Sequence, residues 1–185
     1  MRPLRVGLGA ALSILLLGAC GGGTASIHES ATTATASTTT TTSSAPPTSV
    51  QVAAEIAATH QVSDPNEKFA GGHLVTVSDG HGGYLTAVSA ARFPGDGHGM
   101  LVFFWHNQTF LGWDTDEETW TVSLSAKGAN VIDATYADYA PKDPACCPSL
   151  APVTITYRWD GTRLSQSQTL PSEALLNTLV ELAGS

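Results

Sequence analysis

Adjacent cysteines are the most unusual chemistry in this chain: Cys146-Cys147, set between Pro144 and Pro148. In an oxidising compartment such neighbours bond to each other, bond to another chain, or stay free. Closing a ring across one peptide strains it, so the pair reads either as a rigid kink or as a labile redox switch. Lys142 is the one nearby base, which gives little support to a reactive thiolate. A vicinal, mainly structural disulfide is therefore the expectation, with thiol-redox use of Cys146 and Cys147 as an alternative.

The other candidate groups are weaker. Asp79-Gly80-His81-Gly82 and Asp96-Gly97-His98-Gly99 repeat a tetrapeptide, yet no two histidines have the spacing of a zinc pair. They read as exposed turn histidines rather than metal ligands. Asp114, Asp116 and Glu118 imitate the start of a calcium loop, but Thr119 stands where the sharp turn needs glycine and Ser125 where a bidentate glutamate is needed. A solvated acidic loop is the better reading. No Gly-x-Ser-x-Gly, His-Glu-x-x-His or Ser-x-x-Lys occurs. A hydrolase is left with only a loop-built site, drawn from His81, His98 and Asp114, and that site requires all three to converge. No residue pattern calls for a cofactor or a metal.

The third cysteine, Cys20, has its own context. Arg2 and Arg5 precede an apolar stretch from Val6 to Leu17, which ends in Leu17-Gly18-Ala19-Cys20. Twelve residues are too few to span a bilayer core of ~30 Å, but they suit the hydrophobic region of a signal peptide. Leu-Gly-Ala-Cys resembles a bacterial lipobox. By that resemblance residues 1–19 are removed, Cys20 takes a thioether-linked diacylglycerol, and the new amino terminus is acylated, as with palmitate. Two or three chains at about 0.8 kcal/mol per buried CH₂ hold a protein stably, unlike a single chain. Loss of Arg2 and Arg5 takes the formal charge from −8 to −10. So acidic a chain is a poor partner for nucleic acid and is repelled by anionic headgroups. The partner it implies is the membrane, reached through lipid, on the extracytoplasmic face.

Residues 20–50 read as the lipidated cysteine and a tether. From Thr24 to Val50 there are ten Thr, six Ser and five Ala in 27 residues, too little apolar surface to offset ordering entropy. As a flexible coil the tether spans about 30 Å. Residues 51–185 read as one globular domain.

In that domain, Val52 and Ile56 at i, i+4 predict a short helix. Leu101-Val102-Phe103-Phe104-Trp105 is apolar on both faces and predicts a central strand covered on both sides. Asn107-Gln108 turns it into Thr109–Trp113. Trp120, Val122 and Leu124 alternate with polar residues, and Lys127-Gly128 turns toward a strand near 131–139. Val153, Ile155, Tyr157 and Trp159 face inward before Asp160-Gly161, with a return strand near Thr162. Ser172 as N-cap, with the stripe Leu175, Leu176, Leu179, Val180 and Ala183, predicts a C-terminal helix. The fold class is α+β: an antiparallel meander of about six strands flanked by two helices. All four tryptophans fall in strand segments and read mainly as core.

Taken together, several segments resemble the LppP/LprE lipoprotein family of actinobacterial envelopes. They are the Val52-Ile56 helix, Leu101–His106 with Phe110-Leu111-Gly112, Asp143-Pro144-Ala145-Cys146-Cys147-Pro148-Ser149, and Val153–Gly161. The resemblance covers roughly residues 51–165. It implies a surface-displayed lipoprotein and carries over no catalytic residue. The expected function is a lipid-anchored, non-enzymatic binding or structural module of the cell envelope.

Overall fold

The structure, a computed structural model, describes residues 44–58, 68–95 and 97–176. It opens with helix α1, Ser49–Ala58, which starts inside the Ser/Thr-rich stretch. A reciprocal cap explains that start: the Gln51 amide donates to Thr48 Oγ1 at 3.3 Å, and the Thr48 amide donates to Gln51 Oε1 at 2.9 Å. Val52 and Ile56 are the buried side chains of α1, as their spacing predicts.

Nine strands follow: β1 Lys68–Ala70, β2 Leu74–Ser78, β3 Tyr84–Phe93, β4 Met100–His106, β5 Thr109–Trp113, β6 Val122–Gly128, β7 Val131–Tyr136, β8 Val153–Trp159 and β9 Leu164–Gln166. All pairings are antiparallel. They form two sheets rather than the single six-stranded one expected. In the first, β1 and β2 lie along one edge of β3, and β4 then β5 along the other. The second is the meander β6-β7-β8-β9.

The change of sheet happens in the acidic segment after β5. Thr119 is fully buried and exchanges backbone hydrogen bonds with Met100 at 2.8 and 2.9 Å. Its hydroxyl donates to the same carbonyl. That anchors the connection to the first sheet before Val122 enters the second.

Period-two alternation explains the continuous apolar run of β4. Val102 and Phe104 face the second sheet, joining Leu124, Ile132, Tyr136, Ile155, Tyr157 and Trp159 in the larger core. Leu101, Phe103 and Trp105 point to the opposite face, where Val52, Ile56 and Phe69 pack. Each such burial contributes about 1.5–3 kcal/mol.

The turns differ from expectation in detail. Asn107 does turn β4 into β5, with φ 54°. The β6–β7 turn lies at Ala129-Asn130, not at Lys127-Gly128, and Asn130 takes φ 55°. Asp160-Gly161 begins a longer loop, because Asp160 Oδ1 captures the amides of Thr162 and Arg163. The return strand therefore starts at Leu164. Ser172 opens a single 3₁₀ turn, Ser172–Ala174, with Pro171 at the cap position and no side-chain cap bond. Leu175 bridges to Thr119. The rest of the expected C-terminal helix, including Leu179, Val180 and Ala183, lies outside the described residues.

Candidate functional site

The sequence-derived sites scatter over the domain. Cys20 lies outside the described residues. Cys146 and Cys147 stand with their sulfurs in direct contact and their Cα atoms 3.8 Å apart. Their exposed loop is tightly held. Asp143 Oδ2 accepts the amides of Ala140 and Ser149, both at 2.7 Å, and the Ser149 hydroxyl at 2.9 Å. Those bonds, led by the Ser149 amide, hold the Asp143 carboxyl below its usual range. Tyr139 donates to the Ala145 carbonyl and stacks on Trp120 with centroids 4.5 Å apart.

His81 and His98 do not converge. His81 lies in the β2–β3 turn and His98 in the β3–β4 turn, at opposite ends of β3. A ten-residue strand is about 30 Å long, so the loop-built hydrolytic site loses the geometry it requires. His98 is also not an exposed turn residue: it is half-buried, edge-on to Trp120 at 5.3 Å. The acidic loop is not simply solvated either. Glu118 is buried and pairs with Arg92 at 3.3 Å, and Asp114 is half-buried with its carboxylate enclosed. Among the described residues no cluster of His, Cys, Asp or Glu could hold a metal ion.

Two aspartates, Asp79 buried and Asp114 half-buried, organise the polar interior instead. Asp79, at the end of β2, accepts the amides of His81 at 2.7 Å and Gly83 at 2.8 Å through Oδ1. His106 Nε2 meets Oδ2 at 2.8 Å. The His106 ring lies flat against Trp159, 4.4 Å between centroids and 17° between planes. The histidine bond foremost, with the two amides against the cost of burial, lowers the Asp79 carboxyl to about 2. Gly83 is required here, since a Cβ would run into the Asp79 carboxylate. The cluster joins the end of β4 to the end of β8.

Asp114 follows β5 and continues its pairing by other means. Its amide donates to the Val102 carbonyl at 2.9 Å, and its Oδ1 accepts the Val102 amide at 2.8 Å. Oδ2 accepts the Tyr136 hydroxyl at 2.6 Å, which lies 3.0 Å from that of Tyr157. Burial pushes the Asp114 carboxyl up to about 6 against these hydrogen bonds. Burial likewise pushes both tyrosine hydroxyls up, so they stay protonated. Beside this chain lies a cavity of about 250 Å³ between β5 and β9, walled by Phe104, Leu111, Trp113 and Tyr157. Sequence alone places Asp114 in a solvated acidic loop or, with His81 and His98, in a loop-built site; nothing in its neighbours along the chain announces Tyr136 and Tyr157.

Residues 84–162 match the LppP/LprE lipoprotein family. The matched segment runs from the start of β3 to the β8–β9 turn, so it contains β3 to β8, the Asp114-bearing connection and the Cys146-Cys147 loop, but not the turn that carries Asp79. The resemblance read from the sequence holds over that segment. The family is one of lipoproteins, and the coarse class it supports is an envelope lipoprotein. No curated protein and no solved structure matches the chain.

Proposed function

We propose that this chain is anchored to the extracytoplasmic face of the cell membrane through lipid on Cys20, and presents its two-sheet domain as a non-enzymatic binding or structural module. The lipoprotein-family match over residues 84–162 carries the reading. Leu17-Gly18-Ala19-Cys20 supplies the residue for the thioether, and the Ser/Thr-rich stretch before α1 supplies reach from the bilayer. A residue pair built for hydrolysis has no support in the positions of His81 and His98.

Cys146 and Cys147 form, in this reading, a vicinal disulfide that stiffens a surface loop. Asp143, Tyr139 and Pro144 hold that loop through bonds independent of the sulfurs, which favours a kink over a switch. The anchoring is tested by mass spectrometry of the amino-terminal peptide. The expected species begins at acylated Cys20; an unmodified peptide running through Cys20 from residue 1, or one starting at Cys20 without lipid, overturns the reading.

A further inference from the structure

Among the described residues β5 and β9 are both edge strands, each bonded on one side only. At the opposite side of the sandwich β2 packs beside β6. Between β5 and β9 the two sheets part around the 250 Å³ cavity, whose lining mixes aromatic and aliphatic side chains with Asp114, Ser165 and Gln166. Among the described residues its one acidic side chain is Asp114.

Both oxygens of that carboxylate are hydrogen-bonded, but by neutral donors: Oδ1 accepts the Val102 amide and Oδ2 the Tyr136 hydroxyl. Among the described residues no salt bridge reaches it. An enclosed negative charge beside a cavity is costly unless a positive charge arrives to meet it. Trp113, 38% exposed, and Tyr157 offer ring faces next to it, and such faces attract cations. The acidic chain as a whole attracts cations as well. Among the described residues no lysine or arginine lines the cavity, which offers an anion no partner there.

We propose that the cavity between β5 and β9 is a binding site for a small organic cation, its ammonium group on Asp114 and its apolar body against Trp113 and Tyr157. The proposal rests on the reading of this domain as a binding module and names the ligand class. At about 250 Å³ the space lies just below the usual range for ligand pockets, which fixes the ligand as a compact one.

Three probes share one ring and differ in charge: benzylammonium, benzyl alcohol and benzoate. Each is titrated by calorimetry into the processed, lipidated protein in detergent micelles, with empty micelles as the blank. Benzylammonium is expected to bind saturably, with the alcohol and the benzoate about tenfold or more weaker, the worth of a desolvated charge pair. Asp114→Asn and Trp113→Leu each weaken benzylammonium by about tenfold while benzyl alcohol is little affected by Asp114→Asn. If Asp114→Asn does not fold, Trp113→Leu and the probe series decide.

Benzylammonium affinity should also fall about tenfold between pH 7 and pH 5, as the ionised fraction of Asp114 falls. Tyr136 from β7 and Tyr157 from β8 face the carboxyl and stay neutral throughout. Equal binding of amine and alcohol, preference for benzoate, or no saturable binding by folded wild-type protein overturns the proposal. Because the protein is recovered from membranes in its lipidated form, such a result leaves the anchoring intact; failure to recover it there speaks against the anchoring alone.

Discussion

Asp79 and Asp114 do similar structural work with opposite electrostatics. Each is a carboxylate withdrawn from solvent, each caps a strand of the first sheet, and each reaches toward the second, through His106 on Trp159 and through Tyr136. Asp79 collects a ring nitrogen and two amides on its oxygens, and its carboxyl is lowered to about 2. Burial acts most strongly on Asp114 and outweighs the Tyr136 hydroxyl and the backbone amides led by that of Val102, raising it to about 6. The difference teaches that the sign of a shift follows a balance: hydrogen bonds outweigh burial at Asp79, and burial outweighs hydrogen bonds at Asp114.

The strongest way to break the comparison is to remove Asp79. Asp79→Ala leaves the Gly83 and His81 amides and the His106 ring without their acceptor, which should cost about 3 kcal/mol in urea unfolding. Asp114→Asn, which keeps the amide contact to Val102, should cost under about 1 kcal/mol at pH 7. Equal losses would mean that the two sites are not different in kind.

The pH dependence of stability sharpens the contrast. Asp79 has a folded value below its unfolded one, so its contribution is present above about pH 4 and is lost as pH falls toward about 2, roughly 2 kcal/mol in all. Asp114 has a folded value above its unfolded one, so its contribution is full below about pH 4. It fades as pH rises through about 6, again by about 2 kcal/mol after allowance for partial solvent contact. Wild-type stability should therefore peak near pH 4, and Asp114→Asn should flatten the limb between pH 4 and pH 7 while leaving the acid limb. An unchanged limb in that variant contradicts the assignment.

Tyr136→Phe removes the hydroxyl between Asp114 and Tyr157 and should cost about 1 kcal/mol, with the fading limb moved to higher pH as the carboxylate loses a donor. The smallest effect is expected at the cysteines. A bond between neighbours closes almost no loop, so Cys146→Ser with Cys147→Ser should change stability by under about 1 kcal/mol. Alkylation of the unreduced, denatured protein followed by mass spectrometry should label neither cysteine in the monomer; two labels would exclude the disulfide.

How far the sequence could foretell this arrangement varies with how local the cause is. The two-faced run Leu101–Trp105 was legible because burial on both sides leaves no polar position in the strand. Val52 and Ile56 were legible because α1 buries one narrow face. The division into two sheets was not. It depends on Thr119 pairing with Met100 across a segment whose acidic composition looks like a solvated loop. The turn at Asn130 was displaced because Gly128 is used inside β6, and the Asp160 loop was lengthened by side-chain capture of two amides. Both aspartates took their roles from partners twenty or more residues away, Asp79 from His106 and Asp114 from Tyr136, and such pairings leave no local signature.

The anchoring of the whole domain is tested most directly by membrane fractionation of Cys20→Ala beside wild type. On the proposed anchoring through lipid on Cys20, wild-type protein should remain entirely with washed membranes. The processed variant should appear in the soluble fraction, since its acidic chain has no electrostatic hold on anionic headgroups. A processed Cys20→Ala protein that still sediments completely with washed membranes would contradict the account.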